Sequence, residues 1–352
     1  MTEETARTVH VVSSLQIGGA ERFTVDLASA QLRAGCAVSI IELGPDEQAL
    51  ADDARRLGVC VIRAGRHRSR LARVAHLAGM LAGRAQVLHI HNPGALRALL
   101  PVLPTVRGPV IYTRHGASPY AAPSWRAVHR IARPFVDRVT FVTREARRSY
   151  EAVHGASPER HVVVENGVPV PPYAPRRAAD RLRIGMVGRL VQLKGQHHVL
   201  DAVRALGAAA RARVELHAFG DGPERDRLRE LARGLPVVFH GTVLDREQIY
   251  AAIDVLVVAS RTEGQSLAIM EAMARGVPAI ATRVGGNPEF VRDDDTGILV
   301  PPGDPAAIRD ALERVLAEPA LLARFGRASH ARIAAHHAID AVAATYRELY
   351  AS

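Results

Sequence analysis

The sequence has almost no lysine, only two cysteines and no long apolar run. Of its 46 basic residues, 45 are arginine and one, Lys194, is lysine. Two cysteines do not make a disulfide framework, so we expect Cys36 and Cys60 to be small core residues in a reducing compartment. No stretch approaches the roughly 18 unbroken apolar residues that span a bilayer, and the opening residues lack a secretion-signal pattern. These absences predict a cytoplasmic protein and leave contact with the inner face of the membrane open.

Positive charge is concentrated in the first half of the chain. Residues 1–170 hold 22 arginines and 14 acidic residues, a net charge of +8, whereas residues 171–352 hold 24 basic and 22 acidic residues, a net charge of +2. The excess favours an anionic partner such as phosphate groups, lipid headgroups or nucleic acid. The alternative is a coding bias toward arginine. Under that bias, Lys194 marks a position that needs a compact, flexible ammonium.

Short apolar runs alternate with helical patterns along the chain. Runs such as TVHVVSSL, AVSIIEL and RVTFVTRE are each followed by a helix or loop, and the proline-rich segment VPVPPYAPRRAAD interrupts the rhythm once. This order predicts an α/β protein with two Rossmann-like domains facing a central cleft. We place the domains at 1–170 and 183–330, the linker at 171–182 and a final helical segment at 331–352.

The loop GRLVQLKG joins a predicted strand to a helix and carries two cations. Arg189 and Lys194 lie just after the strand, where the first amides of a helix are also free, and this combination can hold a diphosphate. The spacing is not that of a Walker loop. Two solvated surface cations are the alternative, and the lone lysine favours the functional interpretation.

The stretch EGQSLAIMEA places Glu263 in a loop after a strand and Glu271 inside the following helix, with Ser266 as the N-cap. Apolar neighbours leave little of this helix facing water, so the Glu271 carboxylate needs hydrogen-bond donors. A separation of roughly 10–12 Å along the helix is too long for a glycosidase acid–base pair. The two carboxylates therefore favour contacts at two places on an extended ligand, as the sugar and the ribose of a nucleotide sugar would provide.

Other candidates lie at further strand ends. Gly18 and Gly19 open a helix after the first strand, where a backbone can approach an anion closely. His115 ends a strand of the first domain and should face the predicted cleft. A structural role is the alternative for His115, as it is for His89 and His91. No carboxylate or cysteine pattern accompanies these histidines, so we predict no metal site.

Nine motifs follow one another over nearly the whole chain: GGAER, RHG, ENGVPV, GRLVQLKG, FGDGPER, FHGTV, EGQSLAIMEAMARGVPAIAT, VGGNPEFV and GILVPPGD. In this order and spacing they resemble glycosyltransferase family 4, the retaining enzymes of glycosyltransferase group 1 type with the two-domain GT-B fold. In that fold the last helix, here within 331–352, packs back on the first domain.

The resemblance implies a role for each matching position. Arg189 and Lys194 would neutralise the donor diphosphate, and Glu271 would accept the ribose hydroxyls. Glu263 would contact hydroxyls of the transferred sugar, and His115 would lie close to that sugar. The catalytic set is then His115, Arg189, Lys194 and Glu263. The donor-binding set adds residues that border the phosphate, the acceptor or the base: Gly19, Gly188, Gly241, Thr242, Val243, Gly264, Gln265, Ser266 and Leu267. Many relatives carry glycine or proline near Gln265 and Ser266, so this chain departs from the pattern at the sugar pocket.

The implied reaction is front-face transfer of a hexose-type sugar from a nucleotide-diphosphate sugar to a hydroxyl acceptor, with retention and without a metal, a cofactor or a protein nucleophile. A UDP-sugar is favoured over a GDP-sugar as the donor. The acceptor would be a saccharide or a lipid-linked molecule in the assembly of a cell-surface polysaccharide or glycoconjugate.

Two arginine-rich segments of the first domain predict contact with an anionic membrane surface. The first lies at the start of an amphipathic helix and comprises Arg63, Arg66, His67, Arg68, Arg70 and Arg73. The second sets Trp125 beside Arg126, Arg130 and Arg133. A solvated helix face is the alternative.

Other function classes stay open at this point. A nucleotide-sugar epimerase or a phosphorylase uses the same fold, and a non-catalytic module would bind the nucleotide sugar without turnover. No nucleic-acid-binding motif accompanies the positive charge, so we predict no nucleic-acid partner.

Overall fold

The computed structural model describes residues 7–44, 49–65, 69–82, 86–116, 118, 120–175 and 180–351. The chain divides into two units. Unit 1 comprises Met1–Gly167 and Ile339–Ser352, and unit 2 comprises Val168–Ala338.

Within its described residues, unit 1 contains one sheet of seven strands. These are β1 (Thr8–Val12), β2 (Val38–Glu42), β3 (Cys60–Arg63), β4 (Val87–Ile90), β5 (Val110–Arg114), β6 (Arg138–Phe141) and β7 (His161–Val163). Neighbouring strands are parallel, in the order β3-β2-β1-β4-β5-β6-β7. The direction of winding therefore reverses between β1 and β4, as in doubly wound sheets.

The helices of unit 1 are α1 (Gly19–Arg33), α2 (Ala49–Arg56), α3 (Arg70–Leu81), α4 (Pro93–Leu99), α5 (Pro123–Ala132), α6 (Arg144–His154) and α15 (Ile339–Ala351). Glu21 in the first turn and Arg33 in the last turn of α1 suit the helix dipole. Every residue from Phe23 to Gln31 is buried, because α1 lies between the sheet and α15.

The two cysteines of unit 1 are not core residues. Cys60 opens β3 and is exposed, and Cys36 is partly buried; both are free. The expectation that both lie in the core is wrong. Cys60 lies in the edge strand β3, whose residues are at most half-buried, and Cys36 lies in the loop between α1 and β2.

Unit 2 contains, in its described part, a parallel sheet of six strands. These are β8 (Leu182–Val187), β9 (Val214–Phe219), β10 (Val237–Gly241), β11 (Val255–Val258), β12 (Ala279–Thr282) and β13 (Gly297–Val300). Their order is β10-β9-β8-β11-β12-β13. The helices between and after them are α7 (Gln196–Arg204), α8 (Ala208–Arg211), α9 (Arg225–Leu231), α10 (Arg246–Ala251), α11 (Leu267–Met273), α12 (Asn287–Phe290), α13 (Pro305–Ala317) and α14 (Ala320–His336).

Each unit has an apolar core of its own. Every residue of β1, β11 and β12 is buried, as expected for parallel sheets that are covered on both faces. The predicted α/β class with two Rossmann-like domains is confirmed. Across the described ranges, no helix combines the length and the apolar character needed to cross a bilayer.

The segments between and after the predicted domains have the following structure. Residues 171–175 of the predicted linker have no regular secondary structure, and β8 begins at Leu182. The segment 331–352 contains the end of α14 and the whole of α15, with a break at His337. Of the two helices, only α15 belongs to unit 1.

Candidate functional site

The strand order of unit 2 reverses between β8 and β11, which is where doubly wound sheets bind ligands. We call the segment after β8 the lysine loop (188–195) and the segment after β11 the glutamate loop (259–266). Gly195 has a φ of +65°, and a Cβ there would lie 2.1 Å from the Ala259 carbonyl oxygen. Glycine is therefore required at this position, because any side chain would push the two loops apart.

Lys194 and Glu263 form an ion pair between the two loops. The Lys194 ammonium donates to Glu263 Oε1 at 2.5 Å, and the Ser260 hydroxyl donates to the same oxygen at 2.7 Å. The side chain of Lys194 is 30% exposed and that of Glu263 is 8% exposed. An ammonium has three donors, so Lys194 keeps donors for a ligand after it has paired with Glu263.

Arg189, the second predicted cation of the lysine loop, is exposed. Within the described chain its guanidinium has no hydrogen-bond or ion-pair partner, whereas its backbone carbonyl accepts from Gln196 Nε2 at 3.0 Å. The backbone of Arg189 is thus held in place, while its guanidinium is available to a ligand. Gly188, just before it, has a φ of +134°, a conformation that side chains rarely allow.

Three glycines join the loops that follow β8, β9 and β10. The Gly220 amide donates to the Gly241 carbonyl at 2.7 Å. A Cβ on Gly220 would lie 2.0 Å from the Gly188 carbonyl oxygen. Thr242 and Val243 follow Gly241 directly, so they lie at the same edge of the sheet. These loops form a continuous rim at the carboxyl ends of their strands.

The glutamate loop rests on the VGGN turn after β12. The Gly286 amide donates to the Gly264 carbonyl at 2.9 Å. Gly285 has a φ of +50°, and a Cβ on it would lie 1.9 Å from the Glu263 carbonyl oxygen. The turn therefore fixes the backbone that carries Glu263, and the absence of a side chain at Gly285 makes this contact possible.

Ser266 occupies the N-cap position of α11, as predicted, but its hydroxyl makes no capping hydrogen bond. Its carbonyl accepts from the Met270 amide at 3.2 Å. Leu267 is buried at the start of the helix, whereas Gln265 is partly exposed. The first turn of α11 thus has no side-chain cap, and the contact of this segment with a phosphate stays a prediction.

Glu271 is buried in α11 and has the hydrogen-bond donors that its burial requires. The Tyr250 hydroxyl donates to Oε2 at 2.8 Å, and Arg246 Nη1 donates to Oε1 at 3.3 Å. Burial, reinforced by the negative charge of Glu271, raises the pKa of Tyr250 well above its usual value, so the phenol stays a donor. A carboxylate has about four acceptor sites, which leaves acceptor capacity at Glu271 for a ligand.

In unit 1, His115 follows β5 and starts a chain of imidazoles. His115 Nε2 lies 3.3 Å from His91 Nδ1, and His91 Nε2 lies 2.8 Å from His10 Nδ1. The chain ends at Gln31, whose Oε1 lies 2.7 Å from His10 Nε2. Burial lowers the pKa of His10 and of His115 to about 4 and that of His91 well below its usual value. All three rings are therefore neutral at neutral pH.

Gln31 connects this chain to the last helix. Its Nε2 donates to the Tyr350 hydroxyl of α15 at 3.0 Å. Tyr350 in turn lies 2.7 Å from His89 Nδ1, and His89 Nε2 lies 2.6 Å from Thr113 Oγ1. Because the Tyr350 oxygen accepts from Gln31, its own proton goes to His89 Nδ1, and His89 carries its proton on Nε2.

The Gln31 amide also sets the direction of the hydrogen bonds toward His115. Its oxygen accepts from His10, so His10 is protonated on Nε2 and its Nδ1 accepts from His91. His91 therefore carries its proton on Nε2 and accepts at Nδ1, and His115, which donates to that Nδ1, carries its proton on Nε2 as well. His115 Nδ1 then carries no proton. The Asn166 side chain lies beside the ring, but within the described ranges Nδ1 makes no hydrogen bond of standard geometry.

Three of these histidines, His10, His89 and His91, bring ring nitrogens within 4.8 Å of one another, a spacing that suits a metal ion. Both nitrogens of His10 and of His89 already have hydrogen-bond partners. A metal would displace Gln31 or Tyr350 from these bonds and leave buried polar groups unpaired, which is costly. The pattern favours a hydrogen-bonded network, and the absence of a metal site stays a prediction.

The remaining predicted positions also lie in unit 1. Gly19 is the exposed first residue of α1, directly after the N-cap Gly18. Of the first arginine-rich segment, Arg66, His67, Arg68 and the Arg70 side chain lie outside the described residues. Arg63 is partly buried and Arg73 is exposed on α3.

Trp125, the predicted membrane anchor, is half-buried on α5. Its ring lies 5.2 Å from that of Tyr120, and the Arg97 guanidinium lies 5.8 Å from its centroid. Part of the indole therefore packs inside unit 1 and only the rest is available to a bilayer. Contact with a membrane stays a prediction.

Two protein-family models match this chain, one over most of unit 1 and one within unit 2. Residues 17–170 match Glycosyltransferase Family 4, and residues 181–318 match Glycosyl transferases group 1. The chain belongs to glycosyltransferase family 4. The family that the motifs indicate is thus confirmed.

Individual relatives of known sequence are similar to parts of this chain. Lipopolysaccharide core biosynthesis glycosyltransferase LpsE of Rhizobium meliloti is 34% identical over 178 residues, which cover 49% of this chain and 51% of LpsE. A D-inositol 3-phosphate glycosyltransferase of Streptomyces bingchenggensis is 35% identical over 245 residues, which cover 61% of this chain and 52% of that enzyme. The chain spans about half the length of these curated relatives.

The fold has close structural relatives. HepE of Anabaena, solved in complex with UDP and glucose, matches with a TM-score of 0.85 at 21% identity, over 98% of this chain and 99% of HepE. At this identity the likeness shows the fold alone, and it confirms the two-domain GT-B fold of this glycosyltransferase family 4 protein.

Sequence reasoning missed several residues of the site. Ser260 ends the β11 run DVLVVAS, so its position at a strand end is a usable signal. Tyr250 and Arg246 are 21 and 25 positions from Glu271, and no motif marks them. Gln31 and Tyr350 are 319 positions apart, and only the packing of α15 on α1 brings them together.

Proposed function

We propose that this protein is a retaining glycosyltransferase that moves a hexose-type sugar from a nucleotide-diphosphate sugar to a hydroxyl acceptor. The observation that carries the proposal is the Lys194–Glu263 ion pair at the reversal of strand order in unit 2, with the free guanidinium of Arg189 on the same loop. Membership of family 4 supports the same activity.

The two cations suit a leaving group that gains negative charge. A nucleoside diphosphate becomes more negative as the sugar–phosphate bond breaks, and preorganised positive charge stabilises that change. Arg189 has no acidic partner within the described chain, and Lys194 keeps free donors beside Glu263. We propose that these side chains provide the positive charge and that transfer requires no metal, so activity should survive EDTA.

The two glutamates suit the two ends of such a donor. Glu263 has a hydrogen-bonded carboxylate at the loop junction, where it can accept sugar hydroxyls. Glu271 retains acceptor sites beside Tyr250 and Arg246 for the ribose hydroxyls. In unit 1, the unprotonated Nδ1 of His115 would accept a hydroxyl of the transferred sugar.

For the acceptor we propose a saccharide or lipid-linked molecule in cell-surface polysaccharide or glycoconjugate assembly. The name of LpsE, a relative in lipopolysaccharide core biosynthesis, supports this class. A lipid-linked acceptor would bring the protein to the inner face of the membrane, where exposed arginines such as Arg73 would meet anionic headgroups. Liposome co-sedimentation that is independent of anionic lipid content would contradict the membrane contact.

The donor is tested by thermal shift with UDP, GDP and ADP and their sugar conjugates. UDP comes first because it is the nucleotide bound to HepE. A ligand at 100 times its dissociation constant adds about 2.7 kcal/mol to the stability of the native state, enough for a shift of a few degrees. The Lys194→Ala variant is the control, because it should lose the shift for every diphosphate.

Turnover separates the proposal from its alternatives. A transferase releases free nucleoside diphosphate from the donor and adds the sugar to an acceptor. An epimerase yields a new nucleotide sugar without any acceptor, and a binding module gives a thermal shift but no product. NMR of the product's anomeric proton then tests retention, and an inverted product would contradict that part of the proposal.

A further inference from the structure

A second concave site lies in unit 1, in the groove between α5 and α6. It has a volume of about 550 Å³ and extends to the amino ends of β6 and β7, where Val136 and His161 line it. The carboxyl ends of the strands, where His115 lies, are at the opposite edge of the sheet. The groove is therefore separate from the residues assigned to sugar transfer.

The groove carries an excess of positive charge: four arginines line it, and the Glu151 carboxylate approaches it at His161, 2.9 Å from Nδ1. Its lining includes Arg126, Arg130, Arg133 and Arg160 and contains no aspartate or glutamate among the described residues. Arg160 is anchored, because its guanidinium donates to the carbonyls of Arg133 and Val136. The side chains of Arg126, Arg130 and Arg133 have no ion-pair partner in the described chain.

A buried histidine forms part of the wall. His129 is 5% exposed, and its Nδ1 lies 3.3 Å from the Tyr150 hydroxyl. Its Nε2 is buried and, across the described ranges, has no hydrogen-bond partner. Burial, together with the nearby His154 and Arg114, lowers the pKa of His129 to about 3. When the Tyr150 hydroxyl donates to Nδ1, this neutral ring holds its proton on Nε2 and has an unused donor.

A further cation without a carboxylate partner in the described chain, Arg114 at the carboxyl end of β5, lies behind Tyr150 of this wall. Arg114 is 2% exposed, and its guanidinium lies 4.8 Å from the ring centroid of Tyr120 and 4.7 Å from that of Tyr150. Its Nη2 donates to the Ser118 carbonyl, and the Tyr112 hydroxyl is a further hydrogen-bond partner of the guanidinium, whereas no carboxylate pairs with it in the described chain. A buried guanidinium without a carboxylate is costly, and a nearby anion offsets that cost.

We propose that the groove between α5 and α6 binds a phosphate-bearing ligand. A planar guanidinium group can donate two parallel hydrogen bonds to two oxygens of one phosphate. Arg130 lies in the last turn of α5 and Arg133 directly follows the helix, and both line the groove. The proposal does not rest on the proposed function, since it uses none of the residues assigned to sugar transfer.

The test is calorimetric titration with inorganic phosphate at constant ionic strength, with chloride as the compensating anion. The pocket variant is the double substitution Arg130→Gln and Arg133→Gln. The matched control is Arg148→Gln, which removes an exposed arginine of α6 that does not line the groove. We expect phosphate to bind the wild type and Arg148→Gln equally, and the pocket variant roughly tenfold more weakly for each arginine removed.

Two further probes identify the source of the phosphate. Glycerol 3-phosphate represents soluble phosphomonoesters, and vesicles of phosphatidylglycerol in phosphatidylcholine represent lipid phosphodiesters. The site is supported if a probe binds the wild type and Arg148→Gln but not the pocket variant. The probe that does so identifies the source of the phosphate group. Trp125, the single tryptophan, lies beside Arg126, so its fluorescence gives a second readout of occupancy.

The proposal is overturned if no probe binds, or if the pocket variant and Arg148→Gln weaken binding to the same extent. The latter result would show an effect of net charge alone. Circular dichroism checks that the pocket variant is folded. If it is not, the single substitution Arg126→Gln replaces it, with the same expected loss of phosphate binding.

Discussion

The Lys194 ammonium and the Glu263 carboxylate lie 2.5 Å apart across the place where the strand order of unit 2 reverses. They are 69 positions apart in sequence and meet because β8 and β11 are adjacent parallel strands that end at one edge. The pair holds the ammonium in place before a ligand arrives, so little reorganisation is needed when a phosphate binds.

Removal of the ammonium should impair turnover and also lower stability. For Lys194→Ala we expect kcat/KM with the preferred donor to fall by roughly 10²-fold or more, the scale for loss of one charge-stabilising group. The variant leaves the Glu263 carboxylate, which is 8% exposed, without its cation, so the free energy of unfolding should also fall, by roughly 1–3 kcal/mol. Steady-state kinetics and urea unfolding measure the two effects.

The control for this variant is Arg233→Ala, which removes a cation that is 80% exposed on the same unit. It should have near-normal kinetics. Near-normal turnover in Lys194→Ala would remove the main support for the proposed function.

The contact between the VGGN turn and the glutamate loop should matter for catalysis. In Gly285→Ala the new Cβ would meet the Glu263 carbonyl, so the loop must move, and a displacement of this kind costs kcat/KM roughly 10²-fold. Gly303→Ala is a matched control, because Gly303 also has a positive φ (+72°) but open space at its Cβ position. It should lose about 1–2 kcal/mol of stability from backbone strain alone and keep its activity. Equal kinetics in the two variants would refute a role for the contact.

The direction of hydrogen bonds from Gln31 predicts one tautomer for every ring in the network. Nitrogen-detected NMR of labelled histidine should show the proton on Nε2 in His10, His89, His91 and His115. In Gln31→Glu both side-chain oxygens are acceptors, so Tyr350 must donate to residue 31 and His89 should shift its proton to Nδ1. Protons on Nδ1 in the wild type would show that the Gln31 amide has the opposite orientation.

Unit 1 should lose stability in mild acid. The pKa of His10 and of His115 lies at about 4, below the usual 6.5. Between these values the unfolded chain binds protons that the folded chain does not, so stability is full above pH 6.5 and falls as the pH drops toward 4. The loss is at most about 1.4 kcal/mol per pH unit for each histidine.

Trp125 fluorescence in urea isolates this effect, because the only tryptophan of the chain lies in unit 1. His10→Asn should reduce the pH dependence of the unfolding midpoint. His336→Gln, which removes an exposed histidine of unit 2, should not change it. A midpoint that is constant from pH 7.5 to pH 5 would contradict the prediction.

Much of the site follows from position along the chain. Apolar runs locate most strands, and the carboxyl ends of parallel strands share one edge, so the sequence places Lys194 and Glu263 each in a strand-end loop of the second domain. Their ion pair was not predicted. The partners of Glu271 were not predictable, because Tyr250 and Arg246 lie in a helix without any motif. The N-cap of α11 also differs from expectation. Ser266 has the right position and residue type, but its hydroxyl does not accept a hydrogen bond from the amides of the first turn.

The sequence by itself determined the alternation of strands and helices, the loops that carry charged residues and the family, because these depend on residue type and spacing. Only the tertiary structure decided which of those loops touch and which buried groups hydrogen-bond. The glycine contacts at Gly195 and Gly285 depend on distances of about 2 Å between loops far apart in sequence, and the link from Gln31 to Tyr350 depends on α15 packing on α1. Such distances are set by strand order and helix packing, which local patterns do not encode.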